Sequence, residues 1–152
     1  MTARTKPPFR ADHVGSLIRP DALIAARNRA EKNEIDAAEL RRIQQDAIRE
    51  VVRLQESIGF KVVTDGEYNR GGWQRDFLLR FANVKLVPSK LTVRFHSQTG
   101  VRDHSPPAMQ IVGKLGRPDP IFVDDFKFLK SVAKAMPKVT IPSPTILHFR
   151  GG

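Results

Sequence analysis

The sequence predicts an α/β chain built from repeated strand-then-helix units, and three observations predict it. A long amphipathic helix over about residues 36–58 ends at a glycine. A short β-branched run follows at once and closes on a polar strand end, Thr64-Asp65-Gly66-Glu67. Apolar segments of strand length and of helical period then alternate toward the end. That gives roughly four strand-then-helix units, counting a short first strand near His13-Val14.

The chain has 152 residues, 40% of them hydrophobic and 28% charged, which suits one domain with a real core and not two. No apolar run approaches the ~18 residues of a transmembrane helix, so no membrane partner is expected. Residues 1–10 carry basic side chains without an apolar stretch behind them, and a secretory signal is not expected. The absence of Cys excludes a disulfide scaffold, a thiol nucleophile and any thiolate metal site within these residues. A reducing, cytoplasmic setting is the expectation.

Lys and Arg number 26 against 16 Asp and Glu, a formal net charge of +10. Such an excess attracts polyanions. Yet the basic residues occur singly or in pairs, as at Arg41-Arg42, and no aromatic RNA-binding signature is present. No specific nucleic-acid partner is expected. The alternative is that the balancing acidic charge lies on a partner chain or on further sequence.

Each element has its own signals. Leu40, Ile43, Ala47, Val51, Leu54 and Ile58 recur at steps of three and four, and Ile48 and Val52 widen the stripe. Asp36 with Glu39 reads as a capping box, and Gly59 stands where a glycine after a helix belongs. A shorter helix precedes it, entered through Arg19-Pro20-Asp21 and carrying Leu23, Ile24 and Ala26. Residues 60–63 form a buried strand. Trp73, Phe77, Leu78 and Phe81 mark a third helix over 73–81. Alternation over 84–95, broken by Pro88-Ser89, predicts a hairpin or flap, a hairpin-like insertion near 84–104. Residues 107–112 read as another strand. A helix over about 124–135 and a last strand at 139–141 follow.

Ligands of α/β proteins bind beyond the carboxyl ends of parallel strands, which singles out three segments. At Val14-Gly15-Ser16, bare N–H groups and a hydroxyl suit a carboxylate or phosphate oxygen; a plain strand-to-helix turn has the same pattern. At Thr64-Asp65-Gly66-Glu67, two carboxylates can hold an ammonium or act as acid and base; the alternative is a turn that Asp65 caps. At Pro142-Ser143-Pro144-Thr145, followed by His148 and Phe149, an aromatic ring is available to stack on a flat ligand or to fill the core. The histidines at 13, 96, 104 and 148 have no local zinc spacing, and no phosphate-loop, dinucleotide or nucleophile-elbow motif is present.

Phe9-Arg10-Ala11-Asp12-His13-Val14-Gly15-Ser16-Leu17 with Arg19-Pro20, the long helix, Val63-Thr64-Asp65-Gly66-Glu67, Trp73 and Pro142-Ser143-Pro144-Thr145-Ile146-Leu147 stand in a definite order. Together they resemble the cobalamin-independent methionine synthase family, specifically the stand-alone relatives of its C-terminal catalytic domain. The resemblance implies a (β/α)8 TIM barrel of the uroporphyrinogen decarboxylase type. Residues 1–152 would be a single partial domain, the N-terminal half of that barrel, since a closed one takes about 250 residues. It also implies transfer of a methyl group from 5-methyltetrahydrofolate, usually polyglutamylated, to the thiol of homocysteine, without cobalamin. A zinc ion binds the thiolate in the complete enzyme, through ligands that lie outside this chain.

By match of motif, Val14, Gly15 and Ser16 would hold the amino-acid carboxylate and Glu67 its ammonium. Arg102, Asp103 and Phe149 fall where the family contacts the folate. The best-known members carry Cys in place of Asp103 and Trp in place of Phe149. The resemblance thus leads to small-molecule substrates and to a fragment inactive alone. The alternatives are a non-catalytic half-barrel that pairs with a complementary chain or with itself, and a related zinc-thiolate alkyl transferase acting on another thiol.

Overall fold

A computed structural model describes residues 13–88, 92–97, 100–105, 107–143 and 145–146. In chain order the elements are α1 (Asp21–Glu31), α2 (Ala37–Ser57), β1 (Val62–Val63), α3 (Arg75–Leu78), β2 (Ala82–Val87), β3 (Val93–Ser97), β4 (Gly100–His104), β5 (Ala108–Gly116), α4 (Val123–Val132) and β6 (Met136–Pro137). They fall into two compact units. One takes the chain up to Trp73 together with Phe122–Thr140; the other takes Gln74–Ile121 and the residues from Ile141 onward. Among the described residues no helix is long and apolar enough to cross a membrane.

The first unit is built on α2. Asp36 caps it, its carboxylate accepting the Glu39 N–H at 2.7 Å. The expected reciprocal half of the capping box is replaced: the Glu39 carboxylate receives Arg42 at 2.9 and 3.0 Å. Gly59, at φ +92°, ends the helix in a conformation that favours glycine. The buried face runs through Gln44, Ala47, Ile48, Val51, Val52 and Gln55, while Leu54 and Ile58 of the expected stripe lie exposed. Gln55 explains the rotation. Its amide donates to the Thr64 carbonyl at 2.9 Å, and its Oε1 accepts the Thr64 N–H at 2.9 Å. One buried side chain thereby satisfies both backbone groups of a strand-end residue, which an unpaired position would leave at a cost.

Leu23 of α1, Ile48 and Val52 of α2, Val63 of β1, Tyr68 and Leu129 of α4 form the core of this unit. Each fully buried aliphatic side chain there contributes roughly 1.5–3 kcal/mol. β1 pairs in parallel with β6, Val62 opposite Met136 and Val63 opposite Pro137. The Glu56 carboxylate ties the segment between α4 and β6 back to α2, accepting the N–H groups of Lys134 at 2.6 Å and Ala135 at 2.9 Å.

The second unit holds two antiparallel ladders. β2 pairs with β5, and the β3–β4 hairpin lies between them in sequence. Asn83, at φ +63°, marks an irregularity where the register steps from Ala82–Gly116 to Val84–Ile111. Its side-chain amide donates to the Lys114 carbonyl at 2.7 Å. Leu78, Val84 and Met109 form the core, with Phe77, Leu79, Phe81 and Ile146 packed against it.

Several expectations need correction. Residues 108–112 do lie in a strand, β5, but it pairs antiparallel with β2 and is not the parallel strand of a βα unit. The 84–95 stretch is not one hairpin, because β2 and β3 each take a different partner. The helix expected over 73–81 is the single turn α3. The last strand lies at Met136–Pro137 rather than 139–141, and residues 13–14 are not a strand. One parallel pair, β1 with β6, therefore stands among the described residues where roughly four strand–helix units are expected.

Candidate functional site

The polar end of β1 turns sharply. The Tyr68 N–H donates to the Asp65 carbonyl at 3.2 Å, and the two central residues are left-handed, Gly66 at φ +64° and Glu67 at φ +58°. Glycine adopts this conformation without penalty; a glutamate there costs about 1–2 kcal/mol. Asp65 stabilises the turn through its Oδ1, which accepts the Glu67 N–H at 2.9 Å. That is the capping role considered for it above. Burial pushes the Asp65 carboxyl up from its ordinary value, opposed by that hydrogen bond and by the charge of Arg70.

Glu67 is 5% exposed, and its surroundings are specific. Its Oε1 accepts the Thr140 hydroxyl at 2.8 Å and lies 3.6 Å from Nη1 of Arg70. The same Nη1 donates to the Thr140 carbonyl at 2.8 Å. The Arg70 guanidinium, 2% exposed, lies 4.2 Å from the centre of the Phe122 ring. Outside this group, Arg19 and Arg27 brace the loop, donating to the carbonyls of Glu67, Tyr68 and Arg70 at 2.7–3.2 Å. The Tyr68 hydroxyl donates to the Ile18 carbonyl at 2.7 Å, and burial raises the Tyr68 pKa from its ordinary value.

Gly15 enters the same place from the other side. The Thr64 hydroxyl donates to its carbonyl at 2.8 Å, and the Leu17 N–H donates to the Gly66 carbonyl at 3.1 Å. A methyl group on Gly15 would stand 2.6 Å from Thr140 Oγ1 and 3.2 Å from Glu67 Oε1. Only a residue without a side chain allows that approach. Of the expected amino-acid-binding residues, the structure therefore brings Gly15 and Glu67 together; Val14 and Ser16 flank them with exposed side chains.

The expected folate residues fare differently. Arg102 and Asp103 lie on β4 in the second unit, both exposed. The Asp103 carboxylate is engaged by Arg94 through two bonds at 2.8 and 2.9 Å, and this pairing lowers its pKa. Phe149 lies outside the described residues. Three residues of the Glu67 environment went unrecognised in the sequence: Arg70, Thr140 and Phe122. Only Arg70 had a local signal, a basic residue three positions after a glutamate in a short loop. An open cavity of about 370 Å³ in the same unit is lined by Arg27, Ala30, Glu31, Leu40, Gln44, Asn69 and Gly71, and none of Glu67, Arg70, Phe122 and Thr140 lines it.

The donor set does not fit a zinc–thiolate centre. The chain has no Cys, and among the described residues no three His, Asp or Glu side chains group so as to hold a metal ion.

Fold and site define an α/β chain whose parallel-strand end presents a buried carboxylate next to a glycine-bearing segment. No protein-family profile matches it. It is 40% identical over 150 residues to YxjG of Bacillus subtilis, an uncharacterised protein, covering 97% of this chain and 38% of that one. A 5-methyltetrahydropteroyltriglutamate–homocysteine methyltransferase of Thermosynechococcus vestitus is 28% identical over 144 residues, 94% of this chain and 18% of the enzyme. A crystal structure from Listeria monocytogenes, provisionally named a vitamin-B12-independent methionine synthase, superposes with a TM-score of 0.75 at 34% identity. That match covers 97% of this chain and 40% of the other. Over nearly its whole length the chain resembles cobalamin-independent methionine synthases, and it spans about two fifths or less of the length of these relatives.

Proposed function

We propose that this chain forms the amino-acid-binding part of a methyltransferase of the cobalamin-independent methionine synthase type. The complete protein would transfer a methyl group from 5-methyltetrahydrofolate, as a polyglutamate, to the homocysteine thiol. In this reading the chain is part of a (β/α)8 barrel, with β1 and β6 as two of its parallel strands and Gln74–Ile121 as the segment that carries the insertion. The observation that carries the proposal is the buried Glu67 carboxylate, held in a left-handed turn where Gly15 approaches it. A non-glycine residue retained in a strained conformation at a strand end is the kind of outlier that motivates a functional reading.

Each residue then has a defined task. Glu67 receives the substrate ammonium, and the backbone N–H groups of the Val14-Gly15-Ser16 segment and the Ser16 hydroxyl receive the carboxylate. Arg102, Asp103 and Phe149 would serve the folate. In the complete enzyme zinc supplies a thiolate at neutral pH. The residues of this chain do not fit that ion, and none of their tasks passes through it. The isolated chain is expected to bind amino acid and to be inactive.

The test is calorimetric titration with L-homocysteine and with its des-amino analogue, which keeps the carboxylate and the thiol. Glu67→Gln should weaken L-homocysteine binding by about 1.5–3 kcal/mol, as for a lost hydrogen bond to a charged group, and leave the analogue unaffected. Melting temperature is not the discriminator, because the substitution also leaves the buried Arg70 guanidinium without its neighbouring charge. Equal loss for both ligands would refute the assignment.

A further inference from the structure

Three non-glycine residues described in this unit hold a left-handed backbone, Asn33, Glu67 and Phe122, and the last two face one side chain. Glu67, at φ +58°, places Oε1 3.6 Å from the Arg70 guanidinium. Phe122, at φ +59°, places its ring 4.2 Å from the same group on a segment more than fifty residues further along the chain. Two positions that cost backbone strain thus meet at the Arg70 guanidinium. Arg70 in turn donates from Nη1 to the Thr140 carbonyl at 2.8 Å, and the Thr140 hydroxyl donates to Glu67 Oε1 at 2.8 Å. The circuit closes on Gly15, whose missing side chain leaves room for the Thr140 hydroxyl.

The two oxygens of Glu67 are not equivalent. Oε1 has both the hydroxyl and the guanidinium beside it, while Oε2 takes no hydrogen bond from the described residues. A carboxylate held by one oxygen in a buried pocket presents the other in a fixed direction, which is what recognition of a small cation requires.

We infer that Thr140 and Arg70 are positioning residues for Glu67, fixing Oε1 so that Oε2 is the oxygen that receives the substrate's ammonium. The inference rests on the proposed role of Glu67 and adds the residues that orient it. Neither Thr140 nor Arg70 touches the ligand in this arrangement. Their contribution is therefore confined to ligands that carry an ammonium.

The experiment is calorimetric titration of the full chain with L-homocysteine and with its des-amino analogue, on Thr140→Val, Thr140→Ser and Glu67→Gln, after melting curves establish that each variant folds. Thr140→Val removes the donor at nearly constant volume; it should bind L-homocysteine about tenfold more weakly and the analogue as the parent does. Thr140→Ser keeps the hydroxyl and should restore most of the affinity. If Thr140→Val does not fold, Thr140→Ala takes its place with the same expectation. An equal loss for both ligands, or no recovery in Thr140→Ser, would overturn the positioning role while leaving Glu67 as the ammonium partner. Unchanged L-homocysteine affinity in Glu67→Gln, or no binding by the parent chain, would overturn the underlying reading and this inference with it.

Discussion

Asp65 and Glu56 are both carboxylates of the first unit, and their surroundings push them in opposite directions. Burial raises the pKa of Asp65 in the folded chain above its unfolded value. Its ionisation therefore costs stability, which falls as pH rises from the ordinary carboxylate range through that raised value. Glu56 is lowered, chiefly by the Ala135 N–H, with Lys134 adding to it. Its contribution is present above the unfolded value and is lost as pH falls through the lowered one. Asp65→Asn keeps an oxygen for the Glu67 N–H and should be more resistant to urea than the parent at neutral pH. Glu56→Gln should be less resistant there. Both differences should vanish in acid, and urea midpoints across pH check both signs. The carboxylates at 65 and 67 were legible because Thr-Asp-Gly-Glu is a local pattern. The partners of Glu67 were not, since Thr140 is brought there by the β1–β6 pairing, which no short window of sequence contains.

The same contrast holds for whole elements. The limits of α2 were legible from Asp36 and Gly59, because capping and left-handed termination are local chemistry. Its buried face was not, because a hydropathy pattern assigns Gln to the surface. Gln55 is buried for its hydrogen bonds, including the two that satisfy Thr64. Gln55→Leu should then cost about 2–4 kcal/mol despite adding an apolar side chain to the core, since two buried backbone groups lose their partners. Ile48→Ala, a cavity in the fully buried centre, should cost a similar 2–5 kcal/mol. Leu54→Ala should cost much less, because that side chain is 58% exposed. Denaturant unfolding of the three variants ranks them, and a Leu54 loss equal to that of Ile48 would show that the amphipathic stripe faces inward after all. Strand pairing was the least legible feature: residues 107–112 have the composition of a strand in either direction, and only their contact with β2 decides for antiparallel.

At the scale of the whole chain, apolar surface and charge act against each other. Val14 and Ile18 are 81% and 95% exposed, and Leu54 of α2 and Ile58 just after it face water as well. β1 and β6 pair only with one another, so each has an outer edge that no other strand covers among the described residues. Exposed apolar side chains and open strand edges favour association with another surface. The net charge of +10 opposes it between copies, and that repulsion is sensitive to salt. At ~0.1 M salt the screening length is about 10 Å, and at ~1 M it is about 3 Å, so the repulsion fades while the apolar attraction persists. The chain should therefore sediment as smaller species at low salt and as larger ones at high salt. Val14→Ser with Ile18→Ser should reduce the shift, as both replace exposed apolar groups without touching the buried core. A monodisperse, cooperatively melting monomer at both salts would mean that these residues close their own core, and the half-barrel reading would fall with that result.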